Sequence, residues 1–178
     1  MKVYAPDGRI GRPPTPLAPS PPVLTALRIA VLDNGKPNAR LLLTRAAEQL
    51  AARTGAAVTL VTDKGPGHNA ATACSDQVLD RITKEVDLVL TGSADRGSCT
   101  SWSVHDSVEL EKRGKPTVVM TTTKFLDLTT RVAVNFGLPD CRVVVVDHPL
   151  GGTDEATVVA RADAAVEGII GQLQKGAT

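Results

Sequence analysis

Asp95, Arg96, Cys99 and His105 crowd into one short stretch, Leu88-Val-Leu-Thr-Gly-Ser-Ala-Asp-Arg-Gly-Ser-Cys-Thr-Ser-Trp-Ser-Val-His-Asp106. It opens as an apolar run, breaks at Gly92, crosses a small polar loop and enters an amphipathic pattern that lasts to about Arg113. Strand, loop, helix is the reading, with Cys99 in the first helical turn. A thiol there faces unpaired backbone N–H groups and the positive end of the helix dipole, and both favour thiolate. Arg96 adds a cation three residues earlier and suits a carboxylate or phosphate. Gly92, Ser93, Gly97 and Ser98 could turn backbone N–H groups toward an anion. Ser98, Thr100 and Ser101 offer capping oxygens. Cys99 has a plainer reading too, as a small residue buried at a helix start.

His105 follows Cys99 by six residues and shares a helical face with Ser101, so a Cys99–His105 pair is not assured. It reads equally as a histidine donating to a nearby carbonyl. His148 is better placed, in a loop after the fifth apolar run, and His68 sits in a Gly-Pro-Gly loop fit for a lid. Lys36 and Lys64 could hold an anionic substrate or form a Schiff base, although surface lysines are usually solvated. Asp95, Trp102, Asn34 and Thr121 complete the candidate substrate-binding set. Cys74 and Cys141 look structural. The lysine of a P-loop and the GxGxxG pattern are both missing, so nucleotide binding has little support. There is no CxxC pair for zinc, and neither a metal nor a cofactor is expected.

The chain of 178 residues suffices for one domain with a substantial core. Hydrophobic residues make up 42% and aromatic residues 2%, so that core must be Val, Leu, Ile and Ala. A net charge of +1 argues against nucleic acid as a partner. No apolar run approaches the roughly 20 residues that span a bilayer, and the N-terminus lacks a signal-peptide core. Three widely spaced cysteines suggest a reducing, cytoplasmic setting rather than a disulfide framework.

The elements that must position these residues begin after a proline-rich arm. Residues 1–26 hold seven of the 12 prolines and exclude helix or central strand there. The arm is either a disordered leader or a segment pinned on something such as a second subunit; with the small size, it makes a homodimer the expected state. Residues 27–178 then form one α/β domain. Apolar runs at 27–32, 58–62, 86–90, 116–120 and 142–146 alternate with helical periods at 39–54, 75–85, 99–113, about 124–136 and 153–174. The Val-rich runs do not alternate with polar residues, which marks strands buried on both faces of a parallel sheet. The expected architecture is a single-domain, doubly wound five-stranded sheet in the flavodoxin-like order 2-1-3-4-5. Its switch point brings together the loops at Asp33–Lys36 and Gly92–Cys99. Lys64, Thr121–Thr123 and His148–Gly152 form the rim. Topology and motif therefore select the same edge.

The run Asp95-Arg-Gly-Ser-Cys-Thr-Ser-Trp-Ser-Val-His-Asp106, followed by Leu110-Glu-Lys-Arg-Gly-Lys-Pro-Thr-Val118, resembles the UGSC-like family. That family is named for selenocysteine-Gly-Ser-Cys in this loop, with cysteine replacing selenocysteine in many members. The context is similar to that of the selenocysteine/cysteine subunits of glycine and proline reductases. Asp33-Asn-Gly-Lys-Pro-Asn38 and His148-Pro-Leu-Gly-Gly152 resemble family segments as well. By this resemblance Arg96 occupies the selenocysteine/cysteine position and Cys99 is the retained thiol, so a redox couple cannot form within the loop.

The resulting expectation is a cytosolic enzyme for a small anionic metabolite, in specialised biosynthesis. Cys99 serves as nucleophile or thiol, His105 or His148 moves protons, and Arg96 with the loop N–H groups holds the anion. One rival is a non-catalytic ligand-binding or accessory subunit that lost the redox residue. Another is a thiol redox protein that uses Cys99 with a partner's thiol or with Cys74.

Overall fold

The computed structural model describes residues 12–174. Strands β1 (Arg28–Asp33), β2 (Ala57–Thr62), β3 (Leu88–Ala94), β4 (Thr117–Thr122) and β5 (Arg142–Val146) alternate with helices α1 (Ala39–Thr54), α2 (Asp76–Glu85), α3 (Gly97–Lys112), α4 (Leu126–Asn135) and α5 (Glu155–Gln174). All strand pairs are parallel, and the sheet runs β2-β1-β3-β4-β5, the doubly wound, flavodoxin-like order. The side-chain period of two explains why the strands read as unbroken apolar runs. On β1, Ile29 and Val31 pack under α1 and α5 with Leu42, Leu43, Val166 and Ile169. Ala30 and Leu32 face the opposite layer with Leu79, Ile82 and Leu110 of α2 and α3. Val104 and Val108 of α3 join Ala133 and Leu138 at α4. No helix among the described residues is long and apolar enough to cross a membrane.

Two strands are longer than their apolar runs. β3 continues through Gly92 and Ser93 to Ala94, with its register on β4 broken between Gly92 and Ala94, and β4 includes Thr121 and Thr122. Gly92 does not end β3 because it lets the strand continue past a tight neighbour. Its φ is +145°, and a Cβ there would lie 2.7 Å from the Met120 carbonyl oxygen. Thr121 and Thr122 remain in β4 because a buried hydroxyl can pair inside the sheet. Thr121 Oγ1 donates to the Ala94 carbonyl (3.0 Å) and pairs with Thr129 Oγ1 (2.8 Å).

Residues 12–26 of the proline-rich arm have no regular helix or strand and are bonded to their own chain. The Arg12 N–H donates to Asn135 O (3.0 Å), Thr15 N–H to Gly137 O (2.6 Å) and Ala26 N–H to Gly55 O (3.0 Å). A buried ion pair, Arg142 Nη1 to Glu111 Oε1 at 2.5 Å, anchors the middle. Glu111 accepts the Ala18 N–H (2.6 Å), and Arg142 donates to Ala18 O (2.8 Å) and Ser20 Oγ (3.0 Å). No second subunit is needed to hold these residues. The first part of the arm, residues 1–11, lies outside the described residues.

Candidate active site

β3, β4 and β5 end side by side, and the segments that leave them build one small cavity. Asp95 and Arg96 come from the β3–α3 connection, Phe125 from the turn after β4, and His148, Pro149 and Gly151 from the loop after β5. The cavity measures about 210 Å³. Ligand pockets for drug-sized molecules run to roughly 300–1,000 Å³, so this one suits a smaller guest. The Gly92–Ser93 and His148–Pro149 peptides are cis.

Arg96 is the exposed N-cap of α3 and, among the described residues, has no carboxylate within 4.0 Å. His148 lines the same cavity, tilted against Phe125 with ring centroids 5.8 Å apart. Its Nδ1 pairs with Thr122 Oγ1 at 3.1 Å, which ties the ring to the end of β4, and Nε2 has no hydrogen-bond partner among the described residues. Asp95 is buried, 5% exposed, yet lines the cavity. Gly97 and Ser98 are exposed and open α3 directly after Arg96, where first-turn N–H groups have no intrahelical acceptor; neither lines the cavity.

Cys99 occupies the expected first turn but not the expected environment. It is fully buried. Its Sγ accepts the Arg96 N–H (3.2 Å) and lies 3.2 Å from Arg96 O and 3.6 Å from Asp95 Oδ1, where an S–H donates. Burial pushes the thiol pKa up, and the Asp95 carboxylate adds to this against the help of the Asp95 and Arg96 N–H groups. A helix start lowers a thiol pKa only while the thiolate stays solvated, and here desolvation wins. In this geometry Cys99 is a protonated strut between Asp95 and the first turn. Ser101 and Thr100 are not caps either. Their hydroxyls donate back to the carbonyls of Gly97 (3.2 Å) and Arg96 (2.7 Å).

Several other expected site residues lie away from the cavity, each for a visible reason. His105 is edge-on to Trp102 (5.2 Å) and Phe136 (5.5 Å), with Nδ1 3.5 Å from Asp106, so both His105 and Trp102 belong to an aromatic cluster between α3 and α4. Lys64 is no rim lysine. It is 1% exposed and pairs with Asp106 Oδ2 at 2.7 Å while donating to Thr72 O at 2.6 Å. Asn34 is buried too, and its amide is used up between Ser93 O (2.9 Å), Ser103 Oγ (3.2 Å) and the Lys36 N–H (3.2 Å). It cross-links the two loops of the switch point. Ser93, Thr100 and Thr121 are fully buried. Lys36 lines a different cleft, with Asn38, Arg40, Leu41 and Thr44. The loop at 63–75 is held rather than free. The Cys74 N–H donates to Asp106 Oδ1 (2.8 Å) and His68 Nδ1 pairs with Ala73 O (2.6 Å). Cys74 is thereby fixed at Asp106, seven residues further along α3 than Cys99, and both cysteines are free thiols.

Of the residues that line the cavity, Phe125 alone lies outside the expected loops, since the rim expected from the sequence spans Thr121–Thr123 and His148–Gly152; its place just after β4 is its only signal. Among the described residues no group of three His, Cys, Asp or Glu side chains is placed to hold a metal ion.

The UGSC family model matches residues 2–175. The chain belongs to the UGSC family. The match takes in every residue of the cavity and both ends of the sheet. No curated protein matches this UGSC chain. Solved structures similar to it include a flavodoxin of Streptococcus pneumoniae TIGR4, 15% identical over 83% of this chain and 99% of that one, with a TM-score of 0.46. A flavone reductase is 17% identical over 83% of this chain and 63% of its own, with a TM-score of 0.48. The translation elongation factor SelB from Methanococcus maripaludis, in its apo form, is 16% identical over 84% of this chain and 34% of its own, with a TM-score of 0.47.

Proposed function

We propose that this UGSC chain is an enzyme that binds a small anionic metabolite and moves a proton on it. The observation that carries the reading is the Arg96 guanidinium, without a carboxylate partner among the described residues, in the 210 Å³ cavity that His148 and Asp95 also line. A planar guanidinium free of a protein carboxylate suits a carboxylate guest in bidentate geometry. The start of α3 at Gly97 and Ser98, next in the chain to Arg96, adds its positive dipole end on the same side. His148, held through Nδ1 by Thr122, supplies general acid–base chemistry at the other ring nitrogen. Phe125 and Pro149 form the apolar wall. Cys99 keeps Asp95 and the start of α3 in place instead of attacking the substrate, because an unexposed thiol with a raised pKa is a poor nucleophile at neutral pH.

The test is a turnover screen over small carboxylates with Arg96→Gln, His148→Gln and Cys99→Ser. Arg96→Gln should raise KM, and His148→Gln should lower kcat by about 10²–10⁴-fold. Cys99→Ser should keep most of the activity. Full activity in His148→Gln together with none in Cys99→Ser would return the thiol to the centre of the reaction and sink this assignment. A second reading, a ligand-binding subunit without turnover, is favoured by the buried state of Cys99, the thiol behind the cavity residue Asp95. Carboxylate binding without conversion of any carboxylate would select it.

A further inference from the structure

Asp95 and Arg96 are neighbours of opposite charge, share one cavity and do not pair with each other. The reason is local. Arg96 has extended backbone, φ −152° and ψ 169°, and successive side chains on extended backbone diverge. The loop after β5 then comes close to both at Gly151. A methyl group placed on Gly151 would lie 4.0 Å from Arg96 Nη2 and 4.0 Å from Asp95 Oδ2. The two charged atoms are therefore no more than twice 4.0 Å apart, yet beyond ion-pair range. Asp95 Oδ1 has the long thiol contact from Cys99 at 3.6 Å, whereas Oδ2 accepts no hydrogen bond from the described residues. A 95% buried carboxylate with one idle oxygen at a cavity wall suits a donor from the guest.

We infer that the guest is a small zwitterion, its carboxylate on Arg96 and its ammonium on Asp95 Oδ2. This rests on the reading of the cavity as a substrate site and narrows the substrate class. Two charge-assisted bonds of about 2.8 Å each, joined through an ammonium and a carboxylate on one carbon, span the gap between the two side chains. A plain carboxylate satisfies Arg96 but leaves Asp95 desolvated beside a second negative charge, so Asp95 selects against it. Gly151 is a specificity position on this account, because a side chain there occupies the space between the two charges.

The experiment is a titration of the full ¹⁵N-labelled chain with alanine, lactate and propanoate, followed at the backbone amides of Asp95, Arg96 and Gly151. These probes differ only in bearing an ammonium, a hydroxyl or a hydrogen beside the carboxylate. Alanine should move these amides at a concentration at least roughly tenfold below that needed for propanoate, with lactate between. Asp95→Asn, which keeps an acceptor for the Cys99 thiol, should erase the alanine preference and leave propanoate binding equal or tighter. Gly151→Ala should weaken alanine while the remaining spectrum stays that of the folded protein. Equal binding of all three probes, unmoved by Asp95→Asn, overturns the zwitterion and leaves the anion site standing. Silence of all three at these amides overturns both.

Discussion

Lys64 and Asp106 are 1% and 0% exposed and meet at 2.7 Å. The pair binds the β2–α2 loop to the middle of α3, since Asp106 also accepts the Cys74 N–H (2.8 Å) and Lys64 also donates to Thr72 O (2.6 Å). Replacing Lys64 by Met leaves a buried carboxylate with a single good donor. The loss expected on breaking such a pair is about 3–5 kcal/mol. Asp106→Leu strands the ammonium in the same way and should cost a similar amount. The double variant Lys64→Met/Asp106→Leu removes both charges. It leaves the Cys74 N–H without its acceptor, at about 1–3 kcal/mol. The double variant should therefore be more stable than either single one, although it carries more changes. For a chain of this length each kcal/mol corresponds to about 2–4 °C in Tm, so the single variants should melt about 6–20 °C below the parent. Urea unfolding and calorimetry on the four proteins close the cycle. Additive losses, or a Lys64→Met loss under about 1 kcal/mol, would refute the claim that the buried pair anchors this loop.

Three further outcomes rest on the same geometry. Alkylation of Cys99 should be slow at neutral pH and speed up only at pH above that of an exposed cysteine, because a raised pKa keeps the thiol protonated; Cys74, buried and pushed up to about 12 mainly by that burial, should be slower still. Mass spectrometry after timed iodoacetamide quenching reads this, and fast labelling of Cys99 at pH 7 would contradict the burial argument. Gly92→Ala should lower stability by about 1–3 kcal/mol or more, since it combines a positive φ with a Cβ 2.7 Å from Met120 O, and thermal melting checks it. Asp87, lowered to about 2 mainly by its hydrogen bond from Arg28, should rise toward about 4 in Arg28→Ala when followed by NMR titration. The sign for stability is that of a depressed carboxylate: the Asp87 contribution is present above its unfolded pKa and disappears as the pH falls toward 2.

The amino-acid order was enough for the doubly wound sheet. Five unbroken apolar runs separated by helical periods leave a parallel, two-sided architecture as the reading, because strand and helix periodicities are local properties of the chain. That reading in turn puts Cys99 in the first turn of α3, where the structure has it, but it picks the crevice between β1 and β3, whereas the cavity is lined from the ends of β3, β4 and β5. Strand ends were less legible. Gly92 and Thr121 look like breaks in a sequence and lie inside strands, because a φ of +145° and buried hydroxyl pairs suit them to the sheet.

Only the tertiary structure decided which side chains reach the cavity and in what state. The order of residues favours His148 over His105 only by its place in a loop after β5. α4 sets Phe136 against His105, whereas the end of β4 sets Thr122 and Phe125 against His148. Lys64 sits in a glycine-rich loop and reads as solvated until Asp106, 42 residues later, is brought within 2.7 Å of it. Cys99 shows the division most clearly. Its place at a helix start is a matter of sequence, and that place favours thiolate. Its burial is a matter of packing, and in this fold the desolvation that packing imposes outweighs the local field of the helix.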